Sequence, residues 1–124
     1  MKGFSGALVL AVALAGVWSP ALAQGTDGTA DAPQRWIDVY NDSEQRVFYV
    51  YMREETNSDW GPDLLGNRVI EIGQTIRVEP VDSTTRCKFS MEIEFEDGTR
   101  LTSRSFNACE ATEATVNNRR IRVR

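Results

Sequence analysis

The chain has 124 residues, with 14 Lys+Arg against 18 Asp+Glu, two cysteines and no histidine. That length allows one domain, and the acid excess argues against nucleic acid and other polyanions as partners. Without histidine there is no Ser-His-Asp or Cys-His catalysis, no His-ligated zinc and no imidazole pH switch.

Met1-Lys2 precedes an apolar run from about Ala7 to Val17, Ser19-Pro20 breaks it, and Ala21-Leu22-Ala23 follows. This order is that of a secretory signal cleaved after Ala23. The run of about 11 residues is too short for a membrane span, which needs about 20. No Arg-Arg pair precedes it and no cysteine stands at the cleavage point, so general secretion without lipid attachment is expected. The product is expected to be periplasmic or secreted, with no membrane span. Lys2 is the only charge in residues 1–23, so cleavage moves the net charge from −4 to −5.

In an oxidising compartment Cys87 and Cys109 are expected to form one structural disulfide. They stand 22 positions apart, unlike the C-x-x-C of a redox centre.

Residues 24–34, QGTDGTADAPQ, lack large apolar side chains and read as a flexible leader. A single β domain is expected over 35–124. Ile37 and Val39 alternate with Trp36, Asp38 and Tyr40 in a first strand that Asn41-Asp42-Ser43 ends. Val47 to Arg53 is bulky on both faces, which predicts a central strand covered by core on one side and a loop on the other. Trp60 to Gly66, WGPDLLG, lies in a long connection. Val69–Ile72 and Thr75–Pro80 around Gly73-Gln74 predict a hairpin with Ile76 and Val78 inward.

Cys87, Phe89, Met91, Ile93 and Phe95 alternate with Lys88, Ser90, Glu92, Glu94 and Glu96, giving one core face and one wet face. A two-residue turn at Asp97-Gly98 would set Leu101 outward. A three-residue loop with Gly98 left-handed keeps Phe95 and Leu101 together and is preferred. Phe106 then falls out of phase with Leu101, which predicts a bulge within Ser103–Ser105. Glu110–Asn118 reads as short helix or loop, and Ile121 and Val123 between arginines as a final edge strand.

The succession N-x-S-x-x-x-V at Asn41, Ser43 and Val47, then WGPDLLG, a Gly-centred turn and Cys-x-Phe…Phe-x-Asp-Gly…Cys resembles a family of small secreted alphaproteobacterial proteins. The similarity covers most of the chain after the signal, and WGPDLLG is its most specific part. It implies secretion and a compact β domain, and no particular activity. Where that family usually carries an aspartate early in its first cysteine strand, this chain has Ser90 and Met91, so no role of that aspartate carries over.

Trp60, Pro62, Leu64 and Leu65 make the WGPDLLG loop unusually apolar for a connection, and Trp60, Asp63, Leu64 and Leu65 form a candidate partner site. The favoured alternative is a plug over the outer face of Tyr49 and Tyr51, with Asp63 capping the turn. Asp59, Asp63, Asp82, Asp97 and the Glu92/Glu94/Glu96 row match no calcium loop, and no metal or cofactor is expected. Arg119, Arg120, Arg122 and Arg124 would either contact an acidic surface or, the favoured alternative, protect a sheet edge and pair with the glutamate row.

The expected fold is all-β, a small antiparallel sandwich or partly open barrel of about seven strands with one disulfide. The expected role is an exported, non-enzymatic, monomeric module that binds a protein or envelope component or serves structurally there. An inhibitor of a basic hydrolase such as lysozyme stands second, and a small enzyme third.

Intact-mass analysis of the exported protein is expected to show a chain starting at Gln24 and lighter by two hydrogens. Retention of residues 1–23, or two thiols that alkylate without reductant, would contradict this.

Overall fold

The computed structural model describes residues 33–124, so the expected signal (1–23) and all but the end of the expected leader (24–34) lie outside the described residues. Eight strands follow in chain order: β1 (Ile37–Asn41), β2 (Val47–Glu54), β3 (Thr75–Val78), β4 (Lys88–Phe95), β5 (Arg100–Thr102), β6 (Phe106–Asn107), β7 (Glu113–Val116) and β8 (Ile121–Val123). One sheet has the order β3-β1-β7-β8. The other runs β2-β4-β5, with β6 pairing further along β4. The architecture is therefore the expected sandwich-like all-β fold, stapled by a Cys87–Cys109 disulfide.

Period-two alternation builds the interior. Ile37 and Val39 of β1, Val50 and Met52 of β2, and Phe89, Met91, Ile93 and Phe95 of β4 are all buried in one cluster. Ala114 and Val116 of β7, the neighbour of β1 in its sheet, join it. Each large apolar side chain so buried contributes roughly 1.5–3 kcal/mol relative to exposure.

The turn geometry after β4 follows from that alternation. Ile93 pairs with Leu101 and Glu94 with Arg100, and the Phe95 N–H donates to the Thr99 carbonyl at 2.8 Å. Glu96, Asp97 and Gly98 thus form a three-residue loop, with Gly98 at φ 89°. Further along, Phe89 pairs with Phe106, one residue out of step with the β5 register. The slip falls at Ser103. Its Oγ accepts from the Met91 N–H at 2.9 Å, and its own N–H donates to the Met91 carbonyl at 2.7 Å.

Four expectations are corrected. The sandwich is not wholly antiparallel, because β1 and β7 pair in parallel, Val39 opposite Ala114. Val69–Ile72 forms no hairpin with β3. Ile70 instead exchanges two 3.0 Å backbone bonds with Val47, while β3 pairs with β1. The chain crosses from one sheet to the other at this point. Residues 113–116, expected within a helix or loop, are the strand β7 between β1 and β8. Finally, β2 is an edge strand and not a central one.

Asn41 holds the crossing together. Fully buried, its Nδ2 donates to the carbonyls of Gln45 (2.8 Å) and Ile70 (3.0 Å). Its Oδ1 accepts from the Ser43 N–H (3.0 Å) and the Ser43 hydroxyl (2.6 Å). Its backbone bonds to Gly73 and Gln74, where Gly73 turns with φ 83°. At the other end of β1, Arg35 donates to Asp82 (2.8 Å) and to the Arg86 carbonyl (3.1 Å), and lies over the Phe89 ring. Burial works to raise the Asp82 carboxyl, but the bonds from Arg35 and Thr84 prevail and hold it below its ordinary value.

Asn41→Ala leaves several buried groups without partners, so we expect a loss on the order of 2–4 kcal/mol in urea melts. The exposed Asn67→Ala should change stability by under about 0.5 kcal/mol. Equal effects from the two would contradict the anchoring role.

Candidate functional site

A sandwich of two open sheets has four free edges, and an uncovered edge is a row of unpaired peptide groups. The WGPDLLG loop covers the edge of β2. The Leu64 N–H donates to the Val50 carbonyl at 2.8 Å and the Gly61 N–H to that of Met52 at 3.3 Å. Asp63 Oδ1 accepts from both the Val50 N–H (3.0 Å) and the Leu65 N–H (3.1 Å). One carboxylate thus caps its own turn and supplies the acceptor that a neighbouring strand would have offered. Leu65 is buried in the core, and Leu64 packs against it. Trp60 is half-buried, with the Arg53 guanidinium 4.7 Å from its ring centre.

Lying along the edge, the loop leaves Tyr49 38% exposed on the outer face. Tyr49 and Tyr51 stack nearly parallel, 6.1 Å apart. Burial pushes the Tyr51 hydroxyl up, and the carboxylates of Asp63 and Glu94 add to the effect.

The glutamate row is occupied by its own arginines. Arg100 reaches Glu92 at 3.3 Å and Glu94 at 2.9 Å, and Glu92 is buried between its cross-strand neighbours Tyr51 and Thr102. Arg46 holds Glu96 at 3.1 Å, and this bond draws the Glu96 carboxyl below its ordinary value. The row therefore pairs with Arg100 and Arg46, not with the C-terminal arginines.

Those C-terminal arginines belong to a different feature. On β8, Ile121 is buried and Val123 half-buried, while Arg120, Arg122 and Arg124 are exposed. Opposite them, the out-of-register segment Ser103–Ser105 carries Arg104. Between the two banks lies an open groove of about 920 Å³ lined by Arg104, Arg120, Arg122 and Arg124, with Phe106 and the hydroxyls of Thr102, Ser103, Ser105 and Thr115. A hollow of about 310 Å³ continues it past Asn117, Asn118 and Arg119. Among the described residues, no Asp or Glu side chain lines the groove. Glu110 and Glu113 border the adjoining hollows at the Arg124 end.

Cations thus gather at one place in this acid-rich chain. Arg35, Arg46, Arg77, Arg86 and Arg100 form ion pairs, whereas among the described residues Arg53, Arg68, Lys88, Arg104, Arg119, Arg120, Arg122 and Arg124 form none. Of these, Arg104, Arg119, Arg120, Arg122 and Arg124 lie together around the groove. Guanidinium groups present forked donors suited to carboxylate, phosphate or sulfate. Among the described residues, no group of three or more Asp, Glu, Cys or His is placed to hold a metal ion. Comparison with protein-family models, curated proteins and solved structures gives no match. Sequence reasoning found the arginine tail but missed Arg104. The missed signal was the predicted bulge, which throws that residue towards β8.

Asp63→Ala removes the acceptor for two backbone N–H groups and is expected to cost about 1–3 kcal/mol in chemical melts. Leu65→Ala should cost about 2–5 kcal/mol. Trp60→Ala, losing a half-exposed ring–guanidinium contact, should cost about 1 kcal/mol. A Trp60 effect larger than that of Leu65 would overturn this assignment of the loop's anchors.

Proposed function

We propose that this protein is an exported, non-enzymatic β-sandwich module of the periplasm or cell envelope that binds an anionic protein or envelope component in the arginine groove. The carrying observation is a concave site with four arginines that, among the described residues, form no ion pair, and with no Asp or Glu side chain lining it, within a chain of net negative charge. Such a field concentrates an anionic partner at one place, while the acid-rich remainder repels it elsewhere. The signal-like residues 1–23 support export. So does the disulfide, a bond that persists in oxidising compartments.

An inhibitor of a basic hydrolase would need free carboxylates to enter a cationic cleft. Glu92, Glu94 and Glu96 are tied to Arg100 and Arg46, which favours the anion-binding reading.

Polyglutamate and polyphosphate, labelled for fluorescence anisotropy, serve as defined probes. Binding is expected to weaken steeply with salt as the Debye length shortens from about 10 Å at 0.1 M to about 3 Å at 1 M. The variant Arg104→Ser/Arg122→Ser/Arg124→Ser should lose at least about tenfold in affinity, equivalent to about 1.4 kcal/mol. Arg68→Ser, away from the groove, should bind as the unaltered protein does. Equal binding by both variants would refute the site.

A further inference from the structure

The groove borders the one sheet edge that the arginines flank, and the hydrogen-bond phase of β8 shows what that edge presents. Arg124 exchanges two 2.9 Å backbone bonds with Glu113, and the Asn117 N–H donates to the Arg120 carbonyl at 3.1 Å. Thr115 stands opposite Arg122 between them. In an antiparallel ladder, hydrogen-bonded and non-bonded pairs alternate. The peptide groups of Arg120, Arg122 and Arg124 therefore turn towards β7, and those of Ile121 and Val123 turn to the edge that no other described strand pairs. The N–H and C=O of both residues are thus offered to the groove side. The fold treats its other sheet oppositely, filling the β2 edge with Gly61, Asp63 and Leu64.

From this placement we infer that the groove's ligand is an extended peptide segment with acidic residues at alternate positions, added as a further strand to β8. The inference rests on the anion-binding reading and goes on to name the partner's chemistry and geometry. Alternate residues on a strand repeat at about 6.8 Å, so Arg120, Arg122 and Arg124 form a cationic row with the same repeat as one face of an incoming strand. Opposite side chains on paired strands lie about 4.5–5.5 Å apart, within reach of a guanidinium–carboxylate fork. Arg104 stands on the far bank to meet the same acidic face. Backbone pairing supplies affinity and the alternate pockets supply selectivity, as in strand addition generally. A phosphate cluster would use the arginines but has no use for the peptide groups of Ile121 and Val123. The arginine row also repels the basic edge of a second copy, so edge protection and acidic-strand selection are two results of one arrangement.

The test uses the full chain and three probes: a peptide of about ten residues, a strand's length, alternating Glu with Val; polyphosphate; and phosphatidylglycerol vesicles. The peptide should bind and slow amide exchange at Ile121 and Val123. N-methylating its edge-facing amides should weaken it at least about tenfold, and replacing Glu by Lys should abolish binding. Arg122→Ser should weaken the peptide at least about threefold with an unchanged melting curve, and Arg122→Lys should recover part of the loss. An N-methylated peptide that binds equally well, with unchanged exchange at Ile121 and Val123, would overturn strand addition and leave the anion site standing. Arginine-dependent binding of polyphosphate or vesicles without peptide binding would do the same. If no probe binds in an arginine-dependent way, both the strand and the anion site fail.

Discussion

A buried carboxamide must satisfy two donors and an acceptor or it destabilises the fold that buries it. Asn41 meets that requirement by tying the end of β1 to the 43–45 turn, to Ile70 and to the Gly73 turn at once. These segments belong to different layers. Ile70 pairs with Val47 in the β2 sheet, and the chain after Gly73 becomes β3 in the other. A two-sheet fold needs such a corner, because hydrophobic burial is non-directional and does not decide where a chain changes sheets. The polar network decides it, and the apolar faces follow.

With the corner set, the sheet edges differ in kind. The connection after β2 is long enough to fold back along that strand, so Asp63, Leu64 and Gly61 complete its hydrogen bonding. The short β7–β8 hairpin, closed by Asn117 through bonds to Arg119 and Arg120, leaves β8 at the end of its sheet with no described strand beyond it. Its edge is marked by charge. Natural sheets use both devices, covering and charging, to suppress unwanted pairing. Here they fall on opposite layers, and the charged one faces a concavity. Five of the described arginines that form no ion pair thus lie where described peptide groups are also unpaired.

How legible this was depended on whether local pattern or long-range pairing set the outcome. The Phe89–Phe95 alternation, the Gly98 loop and the slip at Ser103 follow from phase along neighbouring strands, and sequence suffices for them. Strand β7 did not announce itself, since Ala114, Thr115 and Val116 are too few to show a period, and alanine is a weak strand former. Its parallel pairing with β1 joins residues 75 positions apart, which no window covers. The Val69–Ile72 segment misled for a related reason. It looks like half a hairpin, but burying Ile70 against Val47 wins over the adjacent turn partner. At the candidate site, the net charge pointed away from anions because a sum cannot show segregation. The pairing of Glu92 and Glu94 with Arg100 is what leaves the C-terminal arginines unopposed.

The disulfide bears on the groove as well as on stability. Its cysteines immediately precede β4 and closely follow β6, so the loop it closes contains β4, β5, β6 and the Ser103–Ser105 bank. Chain-entropy arguments give roughly 3 kcal/mol for a loop of this order. Strand β6 alone has two paired residues, Phe106 and Asn107, to hold that bank against β4. The ladder is weakened just before it, where the Ser103 hydroxyl replaces a backbone acceptor for Met91. A two-residue strand beyond a slip would fray if its far end were free, because short pairings cannot repay the entropy of fixing their backbone. Anchoring Cys109 to Cys87, with the Ala108 N–H donating to the Cys87 carbonyl, closes that end. The slip can then displace Arg104 outward without releasing the strand that follows it. The two banks of the groove have separate origins: hairpin hydrogen bonding sets the β8 side, and the cross-link stiffens the Arg104 side.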